Sequence, residues 1–174
     1  MAFSVTAWKV NRRATWWDYF EHALGSDIAL LQEVGRAPMP LGLGGIRKEI
    51  DDDRRWGSAI LTRHPVVELK EVRNAFTKVP VRLIRNNPGA VVAGLVELPD
   101  EEPIVAVSLY GVFDDGYCVT SVHRALSDLT PLMDSKLRHR VVVGGDLNCS
   151  SQLPPPMRAR HRTVFEHFKS PRLG

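Results

Sequence analysis

Four runs of small and β-branched apolar residues constrain what this chain can fold into: IALLQEV, AVVAGLVEL, PIVAVSLYG and RVVVGGDLN. IALLQEV reads as a buried strand, AVVAGLVEL and PIVAVSLYG as the clearest strands, and RVVVGGDLN as a strand that ends in a polar loop. None approaches the roughly 18 apolar residues that a membrane span requires. Together with a strand–helix–strand opening with short connections, they make a layered α/β architecture the expected one.

The remaining segments fit that architecture. FSVTAWKV at residues 3–10 is a further buried strand, and Thr15 is placed to cap a helix over residues 16–24, which Gly25 ends. Strand, helix and strand 28–34 then follow with short connections. Residues 36–45 read as a loop, and IRKEI, WGSAILTR and VVELKEV are short strands separated by the acidic turn at 51–53 and by His64-Pro65. Asn86-Asn87-Pro88-Gly89 is a strong turn. Apolar residues Val122, Leu126, Leu129, Leu132 and Met133 fall at helical spacing between residues 117 and 133, with a break expected near Pro131. Pro154 to Pro156 read as a stop, after which RHRTVFEHF begins another helix.

A chain of 174 residues suits one domain, 1–174. With 44% hydrophobic and 25% charged residues it is neither disordered nor collagen-like, and it needs no disulfide scaffold. Cys118 and Cys149 lie in unlike contexts without CxxC spacing, which is simplest as two reduced thiols in a cytosolic protein. The first residues, MAFSVTAWKVNRR, lack the order of a secretory signal, so a cytoplasmic location is expected. Net charge is +3, but residues 136–174 hold eight Lys/Arg against two acids. That basic end on a slightly acidic body suits a phosphate-rich ligand, or is simply a solvated surface.

Chemistry-bearing residues gather where the apolar runs stop: Trp8-Lys9-Val10-Asn11, Leu31-Gln32-Glu33 and Gly144-Gly145-Asp146-Leu147-Asn148. Strand ends are where layered α/β proteins expose reactive groups on a rigid scaffold. Carboxylates after two such strands offer hard oxygens of the kind that hold Mg²⁺ or Mn²⁺. Taken singly, Glu33 is a solvated strand end and Gly-Asp-x-Asn a turn. Their joint occurrence in this order carries the functional reading.

With TAWKVN at 6–11, DIALLQEV at 27–34, WGSAILTRHPV at 56–66 and VVVGGDLNCS at 141–150, the chain resembles the endonuclease/exonuclease/phosphatase superfamily of metal-dependent phosphoesterases. VAVSLYG at 105–111 fits the strand that precedes an active-site loop. The resemblance implies a four-layer α/β/β/α fold, a two-sheet β-sandwich flanked by helices, and a Mg²⁺ (or Mn²⁺) cofactor. It implies Glu33 as main metal ligand with Asn11 beside it, and Asp146 and Asn148 as the pair that places the attacking water and contacts the scissile phosphate. Tyr110 falls near a phosphate-contacting position.

Two departures accompany it. Lys9 stands where the superfamily usually has asparagine, and a cation there either repels a metal or binds phosphate directly. The Ser-Asp-His element that supplies the superfamily's catalytic imidazole is absent; Ser26-Asp27 and Ser127-Asp128 are followed by Ile and Leu. No histidine stands in an equivalent strand-end setting, and His22, His64, His123, His139, His161 and His167 all read as surface residues. The sandwich is accordingly expected to be incomplete at its C-terminal end. Three readings follow: a phosphodiester hydrolase of nucleic acid or a smaller phosphoester, impaired by the missing element; a non-catalytic relative that binds phosphate or a partner protein; and an ordinary layered α/β domain.

Overall fold

Strands apolar on both faces find their cover between two sheets and an outer layer. The computed structural model describes residues 3–13, 20, 25–36, 42–51, 53–113, 118–150 and 152–169. Its strands are β1 (Val5–Lys9), β2 (Ile28–Val34), β3 (Gly44–Glu49), β4 (Gly57–Thr62), β5 (Val66–Glu68), β6 (Glu71–Arg73), β7 (Pro80–Arg82), β8 (Val91–Val96), β9 (Ile104–Tyr110) and β10 (Val141–Asp146). Helix α1 (Val119–Met133) and a 3₁₀ turn (Lys136–Arg140) lie between β9 and β10, and α2 (Pro155–Lys169) follows β10.

One sheet has the order β1-β2-β4-β3 and the other β10-β9-β8-β5, with β6 and β7 paired separately as a hairpin. Each four-stranded sheet has one parallel pair at an edge, β1 with β2 and β9 with β10, and is otherwise antiparallel. A parallel pair needs a crossover, and α1 supplies it between β9 and β10. Between the sheets, Ile28, Leu30 and Ile60 pack against Val92, Val96, Ile104 and Ala106. By alternation, Val91, Ala93, Val105 and Val107 turn outward onto Val122, Leu126 and Leu129 of α1 and Val164 of α2. Outside the first sheet, Ala29, Leu31, Ala59 and Leu61 pack with Phe20. This is the expected α/β sandwich. The helix expected over 16–24 lies outside the described residues apart from Phe20, which is fully buried.

Four local expectations are corrected. FSVTAWKV, expected to be buried, forms edge strand β1, whose residues are half-buried or exposed, and within the run only Val10 is buried. Helix α1 is not broken at Pro131. The hydrogen bond lost to proline falls in the last turn, where Leu129 and Leu132 are already buried against the sheet. The prolines at 154–156 open a helix rather than forbid one, because the first-turn N–H groups that proline lacks would have no helical partner. VVELKEV is two strands, β5 in the second sheet and β6 in the hairpin. No helix among the described residues is long and apolar enough to cross a membrane.

Candidate active site

The two parallel pairs end side by side, which gathers the polar strand ends. Lys9 is opposite Gln32 at the end of β1, and Asp146 is opposite Tyr110 at the end of β10. The sheets come close here: a Cβ on Gly144 would lie 2.9 Å from Leu30 Cδ1 and 3.3 Å from Ala7 Cβ. Beneath the strand ends, Gln32 Nε2 donates to the Leu30 carbonyl and to Ser108 Oγ, both at 3.0 Å, while Ser108 Oγ donates to the Leu31 carbonyl at 2.9 Å. This buried polar bridge fixes β2 against β9 below the reactive groups.

Simple alternation along β2 would turn Glu33 away from the second sheet. Leu31 faces outward with Phe20, Gln32 faces inward to Ser108, and Glu33 should face outward again. Instead the register with β4 shifts between Leu31 and Val34, and Glu33 takes a left-handed φ of 56°. The bulge turns the Glu33 carboxylate inward, and Val34 resumes the outward position among the apolar residues. A left-handed non-glycine residue costs roughly 1–3 kcal/mol, the kind of strain that collects at functional sites.

The groups so assembled touch one another. Lys9 Nζ lies 3.2 Å from Glu33 Oε1 and 3.0 Å from Asp146 Oδ2, so one ammonium joins carboxylates from both sheets. Oxygens that share one nitrogen at these distances lie no more than about 6 Å apart, close enough for one cation to reach both. Tyr110 OH donates to Glu33 Oε1 at 2.9 Å, and the Lys9 ammonium lies 5.7 Å from the Tyr110 ring centroid. The backbone N–H of Asn148 donates to Asp146 Oδ1 at 2.9 Å, and Asn148 Nδ2 donates to the Gly111 carbonyl at 2.7 Å. Arg12 Nε stands 3.6 Å from Glu33 Oε2, its guanidinium 5.0 Å from the centroid of the Trp56 ring, which meets Tyr110 edge-on. The hydrogen bond to Asp146 above all, with Glu33 adding to it against partial burial, holds Lys9 above the usual lysine value. Burial raises the Tyr110 phenol; its hydrogen bond with Asn148 opposes the rise and Glu33 adds to it.

Of the residues singled out in the sequence, Glu33, Asp146, Asn148 and Tyr110 thus meet around Lys9. Asn11 is exposed in the turn after β1 with φ 56°. Among the described residues no hydrogen bond or ion pair links its side chain to Glu33 or Asp146, and no histidine touches this group.

No protein-family model and no curated protein matches the chain. Among solved structures, the endonuclease domain of TRAS1, a telomere-specific non-LTR retrotransposon, superposes with a TM-score of 0.61 at 18% identity, over 95% of this chain and 70% of that one. The chain has the endonuclease/exonuclease/phosphatase fold.

That fold implies a divalent cation, and one feature of the donor set tests the fit. Glu33 Oε2 is buried and accepts no hydrogen bond. Its cationic neighbour is the exposed Arg12 guanidinium, 3.6 Å away and not hydrogen-bonded, which an incoming cation would displace. A hard carboxylate oxygen so placed, beside a second carboxylate, suits Mg²⁺ or Mn²⁺, which need only one or two carboxylates. The residues therefore fit the cation at Oε2, while Oε1 is engaged by Lys9 and Tyr110.

Arg12 and Trp56 were not singled out in the sequence. Arg12 follows Asn11 in an ordinary basic pair, and Trp56 opens a strand read as structural; only the three-dimensional approach to Glu33 and Tyr110 marks them. His161 also departs from expectation: it is buried, 5% exposed, where its basic neighbours suggested a surface position. It faces inward with Val164, three residues on, while Arg158, Arg160 and Arg162 are exposed. The cysteines of unlike context meet with their sulfurs 3.3 Å apart, and burial above all pushes the Cys149 thiol up to about 12.

Proposed function

We propose that the chain is a divalent-metal-dependent phosphoesterase that hydrolyses a phosphodiester of nucleic acid, or a smaller phosphoester, through an activated water. The observation that supports it most is the meeting of Glu33 and Asp146, from different sheets, on one ammonium with Tyr110 and Asn148 around them. Glu33, with Asn11 as the second candidate ligand, would hold Mg²⁺ or Mn²⁺, which when bound supplies Lewis-acid stabilisation of charge on the phosphate. Tyr110 fixes the Glu33 carboxylate through its hydrogen bond. Asp146 orients the attacking water and accepts its proton, held in place by the Asn148 N–H. Asn148 Nδ2 is anchored by its hydrogen bond to the Gly111 carbonyl beside Tyr110, and its second hydrogen would pass from the phenol oxygen to an arriving phosphate oxygen. Lys9, between the acids, adds positive charge where the phosphate arrives. Nucleic acid is favoured by the exposed Arg158, Arg160 and Arg162 on α2.

No imidazole among the described residues serves the leaving oxygen. Such a group contributes about 10²–10⁴-fold, so turnover is slow. A second reading, a non-catalytic phosphate-binding relative, is favoured by the position of Lys9, whose one ammonium is paired with both carboxylates where a metal would sit. An assay with Mg²⁺ and Mn²⁺ on DNA and on a chromogenic diester decides between them. Slow metal-dependent hydrolysis that Glu33→Gln abolishes supports the hydrolase. Phosphate binding with no turnover at high enzyme concentration supports the second reading, and turnover indifferent to Glu33→Gln contradicts both assignments of the site.

A further inference from the structure

Helix α2 is weakly attached by apolar contact: only His161 and Val164 are buried among its described residues. His161 faces Cys118, the residue that precedes α1, and Cys149, in the loop after β10. One donor atom from each of the three lies within 4.8 Å of the others. Cys118 is fully buried and makes no side-chain capping bond; its thiol donates instead to the Asn148 carbonyl at 2.9 Å. His161 Nδ1 accepts the Ser150 N–H at 3.1 Å.

Two reduced thiols this close can be drawn together into a disulfide or spread slightly onto a metal. A disulfide needs about 2.05 Å, more than 1 Å closer than the 3.3 Å present. Two zinc–sulfur bonds of about 2.3 Å at the tetrahedral angle place sulfurs about 3.8 Å apart, a spreading of only about 0.5 Å. The ligand set is soft, unlike the carboxylates around Lys9, and selects a different metal. We propose that Cys118, Cys149 and His161 bind a divalent metal of the zinc class, fastening α2 and the loop after β10 to the start of α1. Binding forms two metal–sulfur bonds and one metal–nitrogen bond, releases the two thiol protons, and leaves the fourth position to water. Coordination through Nδ1 replaces its bond from Ser150, and loss of the Cys118 proton ends the bond to Asn148. The site therefore couples metal occupancy to the loop that carries Asn148.

The test is titration of the reduced, metal-free chain with Co²⁺, without Mg²⁺, followed in the visible and near-ultraviolet. The expected result is one equivalent bound, with tetrahedral cobalt bands and thiolate-to-cobalt charge transfer, reversed by Zn²⁺. Cys149→Ser halves the charge transfer, roughly as one of two thiolates, and His161→Gln weakens binding at least about tenfold. Glu33→Gln leaves the thiolate bands unchanged, which separates this site from the proposed hydrolytic one. Zn²⁺ at about a hundredfold excess over Kd raises Tm by about 5–10 °C. Absence of thiolate charge transfer in the folded wild-type chain overturns the proposal, whatever the variants do. So do bands that persist when both cysteines are serine.

Discussion

At the scale of single residues, Lys9 decides most about the candidate site. Its ammonium competes with any divalent cation for Glu33 and Asp146, and its side chain is 39% exposed, so each pairing is worth no more than a partly screened surface pair, about 0.2–1 kcal/mol. Removing both frees the carboxylates for metal. Lys9→Asn is expected to tighten Mg²⁺ binding roughly tenfold, the equivalent of about 1.4 kcal/mol, and calorimetric titration measures it; unchanged affinity would detach Lys9 from the site. Ser108 acts beneath it. Ser108→Ala takes a partner from Gln32 and from the Leu31 carbonyl in a dry bridge, at a cost of about 1–2 kcal/mol. Denaturant unfolding should show the loss with an unchanged m-value.

At the scale of elements, what was legible in the sequence divides from what was not along a physical line. Apolar periodicity reports burial, so β2, β4, β8, β9 and the apolar face of α1 were readable from their residues, while β10, equally apolar in sequence, is a half-buried edge. The polar ends of β1, β2 and β10 were readable as candidates from their joint occurrence at strand ends, although β10 belongs to the other sheet. The β2 bulge was not, because alternation assigns Glu33 to the outer face and nothing in LLQEV announces a left-handed glutamate. The pairing of His161 with two cysteines was equally hidden, since it depends on how α2 lies across α1. The same helix pair carries a pH dependence. His123 and His167 stack with Nδ1 atoms 3.1 Å apart, and His123 also meets Thr163 Oγ1. Burial first, then the charge of His167, hold His123 below the ordinary value of 6.5. A depressed histidine contributes stability that is present above 6.5 and lost as pH falls through its folded value. Unfolding free energy should decline below about pH 6.5, and His123→Gln should flatten that decline; an unchanged slope would remove the pair from the account.

At the scale of the whole molecule, two sheets with the same plan, a parallel edge pair on antiparallel neighbours, face each other so that both parallel edges end at one place. The fold as a whole, though not its sequence, is like that of the endonuclease domain of TRAS1, at 18% identity. It explains how strands separated by more than a hundred residues, β2 and β10, bring carboxylates to a common ammonium. The central claim is that this meeting point is a hard-cation site built on Glu33, and anomalous diffraction from crystals soaked in Mn²⁺ tests it most directly. A peak is expected within coordination distance of Glu33 Oε2 in the wild-type chain, and its loss in Glu33→Gln. A fully soaked crystal with no Mn²⁺ at Glu33, or with the same peak retained in Glu33→Gln, would contradict it.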